Sequence, residues 1–230
     1  MVVSKRSPGR PPTFDREEVL DVAMRLFWRD GYASASMPDI CAATGLSTSS
    51  LYNAFGSKLD LMAAALEHYH RTVLEAFMLG PMVRGEHGLI DVEAFLDRLE
   101  STLKVNPPRG CLAVNTIAEF RDPPPAVARN TARYRALLRS GLHAALTRAS
   151  ALGEIPSDTV GVRTDTLVPM VLAFNLLVAA RAPHRECRDL LRAVRSVLRS
   201  GATAPAARDR GMRALSRVPN ASSPQRRARP

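Results

Sequence analysis

The 230-residue chain holds three cysteines and a single tryptophan, and aromatics make up only 5% of it. Cys41, Cys111 and Cys187 form no C-x-x-C pair. That spacing excludes a disulfide framework and a cysteine-based zinc site, and it makes a reducing cytoplasm the natural compartment. His68 and His70 lie two residues apart, so on a helix they point to different faces and cannot chelate one metal. They are expected at the surface or in packing. The chain has no G-x-G-x-x-G or P-loop pattern, and no nucleophile–base constellation can be assembled, which leaves an enzyme without machinery. No metal or cofactor is implied. The N-terminus lacks the apolar core of a signal peptide. The longest apolar run, 167–182, contains Pro169 and Asn175 and is short for a membrane span. A buried helix is expected there.

Net charge is +10, but it is not spread evenly. Residues 1–60 carry seven basic and seven acidic side chains, and 61–180 carry twelve of each. Residues 181–230 carry thirteen basic and three acidic, which supplies the whole excess. Any nucleic-acid contact made by the N-terminal part must therefore come from where charges sit rather than from their sum.

The most informative stretch is 36–58, S-M-P-D-I-C-A-A-T-G-L-S-T-S-S-L-Y-N-A-F-G-S-K. Ser36 and Asp39 have capping-box spacing, and Pro38 falls in the first helical turn, where its missing N–H costs nothing. Ile40 and Ala43 are expected to face inward, with Gly45 at a tight turn. Ser47 caps a second helix whose Leu51 and Phe55 share one face at i, i+4 spacing. Thr48, Ser49, Ser50, Tyr52 and Asn53 are then outward near the helix N-terminus. Short hydroxyl and amide groups there suit base edges and phosphates of a major groove, and Ser36 is expected among the DNA contacts with them. Ser57 caps the next helix, and Lys58 in its first turn makes a phosphate clamp. The pattern is a helix-turn-helix.

G-L-S-T-S-S-L-Y-N-A-F-G-S-K closely resembles the signature of the TetR family of bacterial transcriptional regulators. The turn glycine, Leu51-Tyr52, Phe55 and Lys58 carry the resemblance, and residues 15–55, with Arg29-Asp30-Gly31-Tyr32 ending the first helix, fit the family's N-terminal domain. The chain departs from relatives at Met37-Pro38, where they often carry a basic or polar side chain aimed at DNA. R-G-C-L-A-V-N-T-I-A-E-F, 109–120, looks like the ligand-binding domain of one branch of the family. The resemblance implies an all-α fold: a three-helix DNA-binding head joined by a long helix to a larger ligand-binding and dimerisation domain. It also implies a double-stranded DNA operator, a small-molecule effector, a homodimer and repression released by that effector.

Along the chain, residues 1–12 form a basic arm too rich in Pro, Gly and charge to fold alone. Gly9-Arg10-Pro11 resembles a minor-groove hook, with Arg10 and Arg6 its reading residues. Residues 13–60 form the head. Asp15 and Glu18 have capping-box spacing, and Val19, Leu20, Ala23, Leu26 and Phe27 make an apolar stripe. Trp28 is expected to cover the head rather than meet a ligand. A long helix from Ser57 towards Phe77 enters the body, 61–200. The Gly and Pro of 80–88 mark a loop, and amphipathic 91–104, apolar 111–120 and a long helix over 126–152 follow. Helices over 163–182 and 184–199 carry the stripe Leu167, Val168, Val171, Leu172, Leu176 and Val178 with Leu190, Leu191, Val194 and Leu198, expected as a four-helix dimer interface. Residues 201–230 form a second basic tail.

A pocket is expected among 95–120, 134–146 and 170–178, with Asn115, Glu119, His143 and Asn175 as polar contacts. Cys111 follows a segment that cannot be helical, so it should sit at a helix N-terminus. The helix dipole and Arg109 would lower its thiol pKa there, favouring an oxidant or electrophile sensor, a role of some TetR-like regulators. Two other readings compete with the regulator: an architectural protein using arm and tail without sequence choice, and a helical enzyme.

Overall fold

The computed structural model describes residues 14–202. Arg6, Arg10 and nearly all of 201–230 lie outside the described residues. Within them the fold is all-helical: α1 (Arg16–Ser34), α2 (Met37–Thr44), α3 (Thr48–Phe55), α4 (Lys58–Tyr69), α5 (Gly80–Arg84), α6 (Leu89–Ser101), α7 (Leu112–Glu119), α8 (Pro125–Ala151), α9 (Val160–Ala179) and α10 (His184–Arg199). A π-helical segment, His70–Met78, prolongs α4 into the body.

Helix starts follow local chemistry. Ser36 and Ser57 each cap their helix in a reciprocal box with Asp39 and Asp60, satisfying amides that have no helical acceptor. Asp15 caps α1 through the Glu17 N–H alone, so Glu18 takes no part. The expected stripe of α1 is buried, as are Ile40, Leu51 and Phe55. Ala43 is exposed instead, because the short α2 turns inward only through Met37 and Ile40. At Gly31 α1 breaks: φ 79° and ψ 169° are open to glycine and strained for other residues.

The body is built on α8, whose Tyr134, Leu138, Leu142, Ala145 and Leu146 are buried. The expected 80–88 loop contains a helix, α5, since Pro81 starts a helical turn readily. His68 and His70 are both buried. His68 faces Glu17 and Asp21 of α1 at 2.9 and 3.7 Å. Burial, and then the Arg133 guanidinium, hold the His70 imidazole below its ordinary pKa.

α9 is long and apolar enough to cross a membrane by length and composition, yet it packs against α8 and α10. That packing changes the expected dimer stripe. Leu167, Val171, Val178, Leu191, Val194 and Leu198 are all consumed inside one chain, because neither helix can hide its apolar face alone. What remains outward is the opposite face of α9, where Val162 is 63% and Leu176 42% exposed. Buried Arg163 closes the far end of α10: it donates to the carbonyls of Val197 and Leu198 at 2.8 and 2.7 Å, and to that of Ser200. Nothing in the spacing of the sequence marks this role. Replacing Arg163 by Met keeps volume but strips the carbonyls of charged donors, each worth about 1.5–3 kcal/mol. The urea midpoint should fall by that loss divided by the m-value; an unchanged midpoint would rule out the cap.

Candidate nucleic-acid interface and internal cavity

α3 has one face for the core and one for solvent. Leu51 and Phe55 are buried, while Thr48, Ser49, Tyr52 and Asn53 are exposed and Ser50 is half-buried. The serine hydroxyls of the first turn are organised among themselves. Ser47 accepts the Ser50 N–H at 3.2 Å and lies 3.0 and 2.9 Å from the Ser49 and Ser50 hydroxyls. The Thr48 hydroxyl stands 3.4 Å from the Cys41 thiol of α2. Ser36 is occupied by the α2 capping box, so its hydroxyl has a structural task. Arg16 fixes the other end of α3, donating to the Ala54 carbonyl at 2.8 Å with its guanidinium 4.2 Å from the Phe55 ring centre. A cation at the C-terminal carbonyls also complements the helix dipole. Sequence spacing did not single out Arg16.

Lys58 stands at the start of α4, its ammonium 4.5 Å from the Tyr32 ring centre and 3.4 Å from the Ala33 carbonyl. The adjoining amides of Tyr32 and Ala33 donate to the Glu119 carboxylate of α7 at 2.9 and 2.8 Å. Glu119 therefore joins α7 to α1 and is exposed. It does not line the cavity, contrary to its expected place among the ligand contacts. His143 is also off the cavity: its position on α8 turns it to solvent beside Thr147.

The cavity lies between head and body, about 50 Å³ in volume, with Trp28, Tyr69, Phe95, Cys111, Tyr134 and Asn175 in its wall. Trp28 is thus more than a cover. Its indole N–H donates to the Arg109 carbonyl at 3.2 Å, and the same carbonyl accepts from Asn115 Nδ2 at 2.8 Å. Asn115 lies next to this wall with its Oδ1 buried and unpartnered. Asn175 donates to the Val171 carbonyl at 3.0 Å. A wider groove of about 320 Å³ runs along α4 and the first turns of α8, past Glu67, Arg129, Asn130 and Arg133. Arg133 is already bridged there to Glu67 and Glu75. Its charged walls suit solvent, whereas apolar walls with a few polar groups suit a small ligand.

Cys111 sits at the N-cap of α7, as expected, but its thiol pKa is raised. Complete burial outweighs the Tyr69 hydroxyl, 3.5 Å from the sulfur, and the amides of the first turn. The expected lowering does not occur because desolvation of a thiolate exceeds what one short helix terminus returns. Burial likewise raises the Tyr69 and Tyr134 hydroxyls well above their usual value. All three cysteines are free thiols.

The family model for bacterial regulatory proteins of the tetR family matches residues 19–65. A model for the tetracyclin repressor-like C-terminal domain matches 88–197. The HTH-type transcriptional repressor ComR of Escherichia coli is 32% identical over 155 residues, covering 66% of this chain and 73% of ComR. The E. coli repressor BdcR is 36% identical over 88 residues, 37% of this chain and 44% of BdcR. Among solved structures, a cysteine-substituted form of the TetR family regulator CifR bound to a 26-bp double-strand operator superposes with a TM-score of 0.70 at 26% identity, covering 84% of this chain and all of that one. Head, body and the identity to ComR lead to one conclusion: the chain belongs to the TetR family of transcriptional regulators.

Proposed function

We propose that the protein is a cytoplasmic repressor that binds a roughly palindromic operator as a homodimer and leaves it when a small molecule occupies the body. The observation that carries this reading is α3: its apolar side is buried and its outer side presents Ser49, Tyr52 and Asn53 to solvent beside Lys58. A helix so mounted suits a major groove, with side chains reading bases and Lys58 meeting a phosphate. ComR and BdcR are named as repressors, which favours repression as the output. Protection of the chain's own promoter over random DNA tests the reading; equal protection would instead favour architectural binding.

Lys58→Ala should weaken binding to every sequence and reduce the slope of log affinity against log salt by about 0.9, the contribution of one phosphate. Ser49→Ala should change which operator is preferred and leave that slope alone. Gel-shift titrations at several salt concentrations separate the two effects.

The partner surface is the outward face of α9, with Val162 and Leu176 at its centre and Val168 and Leu172 at its edge. Two such faces related by a twofold axis would bury each other and set two copies of α3 in successive major grooves. Leu176→Glu should shift sedimentation at micromolar concentration from dimer to monomer and abolish tight operator binding. A monomeric wild-type protein would defeat the assignment.

The effector site is the cavity at Trp28, Tyr69, Tyr134 and Asn175, beside the unpartnered Asn115 oxygen. At about 50 Å³ it holds water-sized guests, so an effector must widen it and thereby favour a head spacing that DNA does not. Cys111 is shielded as long as the cavity stays narrow. A polar alkylator at pH 8 should modify Cys41 well before Cys111 in the folded protein, and operator binding should survive that first stage only if Cys41 tolerates the added bulk. Mass mapping in which Cys111 reacts first would reverse the reading and restore a sensor thiol.

A further inference from the structure

Glu119 does for α1 what an N-cap residue does for its own helix. The break at Gly31 leaves the chain to resume a helical turn at Tyr32, and the first amides of a turn have no acceptor within it. Those of Tyr32 and Ala33 are taken by the two oxygens of one carboxylate, Oε2 and Oε1 of Glu119. A Cβ built on Gly31 would lie 3.2 Å from the same oxygens, so the close approach and the positive φ both call for glycine there. Phe120, next in sequence, brings its ring to 5.1 Å from that of Tyr32. The same two residues, Tyr32 and Ala33, hold Lys58 through ring face and carbonyl. One dipeptide is thus gripped by the end of α7 and in turn grips the lysine.

We propose that Glu119 is a positioning residue for operator binding: through the Tyr32–Ala33 turn it fixes where the Lys58 ammonium stands. The proposal rests on the reading that Lys58 meets a DNA phosphate, and it adds a body residue to the determinants of a head contact. The charge of the carboxylate suits the task. It pairs with two N–H dipoles at once and forms charge-assisted bonds, which are shorter and stronger than neutral ones. A glutamine at this position offers one acceptor oxygen and turns an amide donor towards the second N–H. It should hold the turn only in part.

The test uses the full chain and the DNA that the wild-type protein selects from a random duplex pool. Affinity is measured against salt for wild type, Lys58→Ala, Glu119→Ala, Glu119→Gln and the double variant Glu119→Ala/Lys58→Ala. Glu119→Ala should lower the salt slope by about 0.9, as Lys58→Ala does, and the double variant should show no further fall. Glu119→Gln should lie between wild type and Glu119→Ala. A merely structural tie between body and head predicts something else: a lower melting temperature with the wild-type slope, or a loss that adds to that of Lys58→Ala. Either result overturns the proposal. If Glu119→Ala fails to fold by circular dichroism, Tyr32→Leu takes its place, since it removes the ring under the lysine and spares the backbone bonds to Glu119. It should show the same reduced slope, and a wild-type slope would refute the relay. Failure of the underlying reading looks different. Selection without a consensus sequence, or a wild-type slope in Lys58→Ala, removes the docking of Lys58 itself and the proposal with it.

Discussion

The packing of α1 on α4 and α7 is the constraint on which everything else depends. A three-helix head has too little apolar surface to stand firmly by itself, and here α4 carries one continuous core from head into body. Leu61, Met62, Leu66 and Tyr69 along it are all buried in that core. Any movement of the body that tilts α4 must therefore carry α3 with it. The T-shaped contact of Trp28 with Tyr69, 5.1 Å between ring centres, joins α1 to α4, and the cavity opens against that same pair.

Polar groups set the precision that apolar packing cannot. The Arg109 carbonyl accepts from Trp28 of α1 and Asn115 of α7, and Glu119 returns two more bonds from α7 to α1. α7 spans only eight residues, roughly 12 Å of helix, so both ends are tied to the same helix of the head. Because packed interiors are bistable rather than continuously deformable, a short strut fixed at both ends transmits displacement instead of absorbing it. The buried, unpartnered Asn115 oxygen is an unmet polar demand beside the cavity, and a ligand donor can satisfy it.

Much of the head was legible in the sequence, because its signals are local. Capping serines, a turn glycine and i, i+4 apolar pairs are read within a few residues, and they fixed α2, α3 and the start of α4. The body was legible as helices but not as an arrangement. Leu167 and Leu176 look alike in a periodic stripe, yet one is buried and the other faces solvent. That choice is made by neighbours distant in sequence. The same holds for site residues. Asn175 could be placed near a pocket from its apolar surroundings, but Glu119 finds its partners 87 and 86 residues away, and no spacing rule reaches so far. Trp28, Tyr69 and Tyr134 meet at the cavity from three helices, which only the fold can tell. For Cys111 the backbone environment was read correctly and the thiol was not, since burial depends on what surrounds α7.

The central claim is that α3 enters the major groove of a specific site, in two copies held by one dimer. Methylation interference on the selected DNA tests it most directly, because guanine N7 lies in the major groove and adenine N3 in the minor. The account predicts two clusters of N7 interference with centres about one helical turn apart, each spanning a half-site. Interference confined to adenine N3, or spread without clusters, would contradict it.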